Sequence, residues 1–201
     1  MASKYLTHIK NKLRRYKTYR VATEVKACLQ TCVQKALKEV DRPDMQVVTL
    51  KPERRSRGAV LLSYIIAPFL LKPGEPMPNS HTHFWESFQI GKTFLDLGYS
   101  VDVINYTNQT FLPDKDYVFI VDPRRNLERL SPLLNSDCIK IMHIDTSHML
   151  FQNAREATRL LALQQRRGIT LPPLRFDMPN WGIEHADYAT ILGNKFTIDT
   201  Y

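Results

Sequence analysis

The stretches "HTHFWE" at 81–86 and "HIDTSH" at 143–148 hold four of the six histidines, each beside a carboxylate. Imidazoles and carboxylates so placed serve metal ligation, general acid–base catalysis, or hydrogen bonding to an anionic or hydroxyl-rich ligand. His81 and His83 are two apart, so they point together on a strand but diverge by about 200° on a helix. With a helix starting near Thr82, His83 and Glu86 share a face at i,i+3 spacing. Zinc would need further ligands that the sequence does not place, so no metal is expected. Two readings of this helix start stay open. Ser80 or Thr82 caps it, with Glu86 in the first turn where the dipole favours an acid. Alternatively, His81, His83 and Glu86 hold a ligand at the helix N-terminus. Asp145 and His148 suit a base or a hydroxyl-orienting pair; equally, Asp145 caps the next helix through Thr146 and Ser147. His143 reads as a buried, satisfied histidine. Asn194, after a later strand, suits a ligand contact or a helix cap. Arg124 and Arg125 in "DPRRN" offer guanidiniums to phosphate or carboxylate, or form an exposed turn.

The elements that must position these residues alternate in type. "AVLLSYII" (59–66) is a continuous apolar run, as expected for a strand covered on both faces. Strands are also predicted at 99–106, 116–122, 138–145 and 187–193. Helices are predicted at 82–98, 126–134 and 147–168, with a short one in "WGIEHA" and another beginning in "NKFTIDTY". Gly98 suits the left-handed residue that ends the first helix, and Gly168 ends the long one after Arg166 and Arg167. The pattern predicts an α/β fold: a Rossmann-like parallel sheet with helices on both faces. Ligands of such sheets lie outside the carboxyl ends of the strands. That rule selects residues 65–68, 105–107, 122–124, 145–148 and 193–195. Neither G-x-G-x-x-G, a P-loop nor G-x-S-x-G occurs, so ordinary dinucleotide, NTP or α/β-hydrolase chemistry is unsupported.

The net charge of +8 is unevenly placed. Residues 1–57 carry 15 Lys/Arg against 5 Asp/Glu, whereas 58–201 carry 13 against 15. The basic part reads as a helical extension over 4–40, broken by "DRPD" at 41–44 and followed by the charged linker "KPERRSRG" at 51–58. The domain boundary is therefore predicted between 57 and 58. The extension suits an anionic membrane surface, or a solvated helix packed on the domain or on a partner. A nucleic-acid-binding body is not suggested. No window reaches the ~18 apolar residues of a membrane span, and no signal peptide is read near Met1. The expected location is cytoplasmic, with peripheral membrane contact through 4–40 if the first reading of the extension holds. Cys28, Cys32 and Cys138 show no zinc spacing and read as small apolar fillers in a reducing compartment.

A longer pattern resembles a known family. "SHTHFWESFQIGKTFLDLGYSVDVINYTN" (80–108) is similar to the first helix and second strand of GT-B glycosyltransferases, with Leu95, Gly98, Tyr99 and Val101 approximating their helix-end pattern. "IMHIDTSH" and "ADYATILGNKFTIDTY" resemble the N-terminal domain of the retaining, glycogen-synthase-like branch, often called group 1. The resemblance covers about 58–201. It departs where "KPGEPMPNSH", with one glycine, replaces a glycine-rich loop, and where His143, Asp145 and His148 compete for one family position. It implies the acceptor-side half of an enzyme that transfers a sugar from a nucleotide-sugar to a hydroxyl. The nucleotide-sugar would be a co-substrate gripped mainly by a second domain or a second chain, with no cofactor or metal required. The partner would be a sugar, lipid or glycan acceptor. The implied site places Asp145 and His148 at the chemistry and His81, His83, Glu86 and Asn194 at the acceptor. Two alternatives of other classes stand beside it: a non-catalytic carbohydrate- or partner-binding module, and a metal-dependent hydrolase using His81, His83, Asp145 and His148.

Overall fold

The computed structural model describes residues 45–123 and 125–201. The basic helix expected over 4–40, Cys28, Cys32 and Arg124 lie outside the described residues. The protein is α/β, built on a six-stranded, mostly parallel sheet. The strands are β1 (Val47–Leu50), β2 (Ala59–Tyr64), β3 (Ser100–Asn105), β4 (Phe119–Asp122), β5 (Ile139–Ile144) and β6 (Tyr188–Ile191). Between them lie α1 (Thr82–Asp96), α2 (Leu127–Leu130) and α3 (Met149–Arg167), and α4 (Lys195–Ile198) closes the chain. Strand order is β1-β3-β2-β4-β5-β6. β2 to β6 pair in parallel, and only β1 runs antiparallel, along β3.

Alternation along the strands sends side chains to two cores. One holds Val60, Leu62, Val101, Val103 and Val121, covered by Ile90, Phe94 and Leu95 of α1. The other holds Leu61, Ile104, Ile120, Met142 and Ile144, covered by Leu127 and Leu130 of α2 and by Ile183 in the 3-10 turn Gly182–His185. Each fully buried aliphatic side chain contributes about 1.5–3 kcal/mol, so the central strands, buried on both faces, anchor the molecule.

β1 shifts the expected domain boundary. The sheet begins at Val47, before the predicted start at 58, and the compact unit that contains it spans Pro43–Tyr201. Residues 51–57 are a connection within this unit. The Arg57 N–H donates to the Gly98 carbonyl at 2.9 Å, and the Arg57 guanidinium lies 5.2 Å above the Tyr99 ring. A buried carboxylate ties β1 in place. Asp102 of β3 accepts from the Thr49 hydroxyl at 2.8 Å and the Tyr117 phenol at 2.7 Å, and pairs with the Lys115 ammonium at 2.7 Å. Burial pushes the Asp102 carboxyl up, but the bonds from Lys115, Tyr117 and Thr49 more than offset it and hold it below the usual carboxylate range.

The two long helices end as their sequences predict. Gly98 has φ +89°, and the Gly98 and Tyr99 N–H groups donate to the Leu95 and Phe94 carbonyls, each at 2.9 Å. This is the paired bonding that a left-handed glycine permits, with the Phe94 and Tyr99 rings in contact beside it. Gly168, at φ +65°, ends α3. Among the described residues, no helix is long and apolar enough to cross a membrane.

Candidate functional site

Because β2 to β6 run parallel, their carboxyl ends lie along one edge of the sheet. The chain leaves β2 to form β3 on one side, then places β4 on the other side of β2. A crevice opens at such a switch point because the connections depart in opposite directions. A cavity of about 360 Å³ lies here. Its lining comes from the ends of four strands and the start of α1: Tyr64 and Ile65, Tyr106, Pro123 and Arg125, Asp145, and His81, His83 and Phe84. Ser87, fully buried in α1, fixes the helix against the sheet by donating to the Ile65 carbonyl at 2.8 Å and accepting the Ile65 N–H at 3.3 Å.

The residues at the start of α1 are arranged differently from the sequence expectation. Neither Ser80 nor Thr82 caps the helix; His81 does. Its backbone is extended (φ −154°, ψ 138°), and its Nδ1 accepts the His83 N–H at 3.3 Å. That bond requires Nδ1 to be unprotonated. A capping side chain folds back over the first turn, so the His81 and His83 rings meet edge to face at 4.0 Å instead of diverging. His83 Nε2 lies 3.9 Å from Asp145 Oδ2. Glu86 falls beyond the first turn, which holds no acid. It turns inward and accepts the Tyr64 phenol at 2.8 Å.

The structure therefore brings together His81, His83 and Asp145. His148 and Asn194 are placed elsewhere. His148, rather than Asp145, caps α3: its Nδ1 accepts the Leu150 N–H at 3.2 Å, and its ring packs against Tyr201. It lines a neighbouring cavity of about 230 Å³ with Tyr201, Met178 and Asn180, which shares Arg125 with the crevice. Asn194 caps α4, accepting the Phe196 N–H at 3.0 Å. Among the described residues, no group of three His, Cys, Asp or Glu side chains is arranged to hold a metal ion. The four-residue hydrolase set is divided between two cavities. Tyr64 and Tyr106 join the crevice without having been chosen as ligand contacts, and Arg125, read from the sequence as a phosphate or carboxylate contact or an exposed turn, lines it too. The strand-end rule stopped one residue short of Tyr64, contained Tyr106, and left Arg125 just past its range.

Behind the lining lies a buried polar layer. His143 of β5 is 7% exposed. Its Nδ1 shares a hydrogen bond with the Thr190 hydroxyl at 2.8 Å, while its Nε2 has no hydrogen-bond partner and lies 3.9 Å from Glu86 Oε2. The expected satisfied histidine is thus satisfied on one nitrogen only. Tyr64 packs against the rings of both His143 and His83. Burial and the neighbouring Glu86 and Asp145 carboxylates raise the Tyr64 phenol far above its ordinary value, so it stays protonated and donates to Glu86.

Burial pushes the His143 imidazole below its ordinary value; the Glu86 and Asp145 charges oppose that shift, and His83 adds to it. The unfolded chain thus takes up a proton near pH 6.5 that the fold resists. Stability is full above that value and falls as pH drops below it, by at most about 1.4 kcal/mol per pH unit for one proton. Urea midpoints measured from pH 7 to pH 5 should fall, and His143→Gln should flatten the slope. An unchanged slope in His143→Gln would assign it to other groups.

Comparison with protein-family models, curated proteins and solved structures finds no match to this chain. Fold and site together define a class: an α/β protein with an open crevice of mixed lining at the carboxyl edge of its parallel strands. Within that class, function is argued from the crevice alone.

Proposed function

We propose that this chain is the acceptor-binding, Rossmann-like half of a GT-B glycosyltransferase. In this reading the switch-point crevice holds a hydroxyl-bearing acceptor, and a separate domain or chain supplies the nucleotide-sugar. The observation that carries the reading is the convergence of His83 and Asp145, 3.9 Å apart, at a cavity also lined by Tyr64 and Tyr106. A carboxylate accepts a hydroxyl proton, an imidazole donates or accepts, and aromatic rings cover the apolar face of a sugar. The strand-and-helix order and the run at 80–108, with Gly98 ending α1 as expected, support the same reading. Asp145 is the residue that orients the acceptor hydroxyl, with His83 beside it. His81 shapes the helix start, and Glu86 acts through Tyr64.

The test uses the full chain with methyl hexosides and nucleotide-sugars. Saturable hexoside binding is expected, with shifts at His83, Tyr106 and the residues around Asp145 in two-dimensional NMR spectra. No transfer or donor hydrolysis is expected from the chain alone. Turnover by the chain alone would sink the half-enzyme reading, and no saturable hexoside binding would sink the acceptor site.

A further inference from the structure

A third cavity, of about 610 Å³, continues from the crevice. His81, His83 and Asp145 line both cavities and so lie where the two join. Beyond the junction the chemistry changes, because Arg155, Arg159 and Arg175 enter the lining. Two elements bring these arginines to one cavity. Arg155 and Arg159 are four residues apart on α3, hence on one face. Arg175 comes from the loop after α3, and that loop is strapped to the helix through its backbone. Gln152 donates to the Arg175 carbonyl at 3.3 Å, Asn153 exchanges two 2.9 Å bonds with the Asp177 backbone, and Glu156 accepts the Leu174 N–H at 3.3 Å.

The three arginines are not equivalent. Arg159 is engaged: its Nε and Nη2 donate to the two carboxylate oxygens of the buried Glu156 at 3.1 and 2.9 Å. Arg155 is oriented by stacking on the Phe151 ring, 5.1 Å from its centroid. Among the described residues, neither Arg155 nor Arg175 is in a salt bridge, whereas Arg159 is, although the Arg175 charge also acts on the Glu156 carboxylate in the same lining. Two planar donor forks at the wall of a cavity match the oxygens of a phosphate or carboxylate.

We infer that the ligand of this crevice carries an oxyanion, a phosphate or a carboxylate, bound between Arg155 and Arg175 while its hydroxyls face Asp145. The inference rests on the acceptor reading for the hydroxyl end only; the anion site stands on the arginines. It narrows the acceptor to a phosphorylated or acidic sugar or polyol.

The experiment titrates the full chain with inorganic phosphate and, separately, with acetate at low ionic strength, following the arginine Nε–Hε signals. Saturable shifts at Arg155 and Arg175 are expected, and Arg155→Gln/Arg175→Gln should weaken binding about tenfold. Both side chains are exposed, so the variant keeps the fold. Preference for phosphate or for acetate identifies the source of the oxyanion. Linear, non-saturating shifts with both anions, or equal binding by the double variant, would overturn the inference. If phosphate binds but methyl hexosides do not, the acceptor reading fails and the anion site remains.

Discussion

Asp122→Ala is expected to lower stability by about 3–5 kcal/mol, read as a large drop in the urea midpoint. Asp122 ends β4 and is fully buried. One carboxylate oxygen accepts the Ser63 hydroxyl, and the other accepts the Asn126 and Leu127 N–H groups at 3.0 and 3.1 Å. Asn126 in turn donates to Ser63 Oγ and to the Tyr106 carbonyl, each at 3.1 Å. This single carboxylate therefore joins β2, β4, the loop after β3 and the start of α2. Burial pushes the carboxyl up, while the bonds from Ser63 and from the Asn126, Leu127 and Arg125 backbones pull it down. Alanine removes the acceptor and leaves those donors in a dry site, each costing about 1–3 kcal/mol. Asp122→Asn is the control. Its carbonyl still faces the two N–H groups, and its amide meets Ser63 Oγ, which already accepts from Asn126, so only the Ser63 proton loses its acceptor. It should cost only about 1 kcal/mol. A loss below about 1 kcal/mol for the alanine variant would show that water replaces the carboxylate.

The contrast between Asp122 and its neighbours indicates what the sequence discloses. β2 to β6 and α1 to α4 are legible because each has a long apolar run or a helical period, and glycine marks the ends of α1 and α3. β1 is not legible. Its four residues, VVTL, are of strand-forming types, but the run is short and sits between "DRPD" at 41–44 and the charged run at 51–58, which together read as extension and linker. The strand-end rule identifies segments, but strand order decides which of them meet. Only with β2 between β3 and β4 do Tyr64, Tyr106 and Arg125 share a cavity. The caps were hidden for another reason. Ser, Thr, Asp and Asn are the usual N-caps, so an imidazole at His81 or His148 reads as chemistry when each closes a helix start. Glu86 has the type and place of a first-turn acid, yet a partner 22 residues earlier, Tyr64, draws it inward. Arg175 lies in a proline-rich loop with no periodicity, and only the strap formed by Gln152, Asn153 and Glu156 gives it a position.

Asp145→Ala is expected to weaken methyl hexoside binding by about 10- to 100-fold, with little change in the urea midpoint. Asp145 follows β5 at the junction of the two cavities, with its side chain 17% exposed. A ligand hydroxyl that donates to a carboxylate makes a charge-assisted bond, worth about 1.5–3 kcal/mol. Truncation removes that acceptor and also the partner of His83. Asp145→Asn separates charge from shape, because the amide keeps one acceptor oxygen in nearly the same volume; its loss should fall between those of the parent and alanine. His148→Ala supplies the contrast. That imidazole lies only three residues further along the chain, but it caps α3 and faces Tyr201 in the 230 Å³ cavity. It should cost about 1 kcal/mol of stability through the lost cap and leave hexoside affinity unchanged. If His148→Ala weakens binding as strongly as Asp145→Ala, the ligand lies toward α3 and Tyr201 instead. If Asp145→Ala binds like the parent, the carboxylate is not the hydroxyl acceptor, and the switch-point crevice loses its central residue.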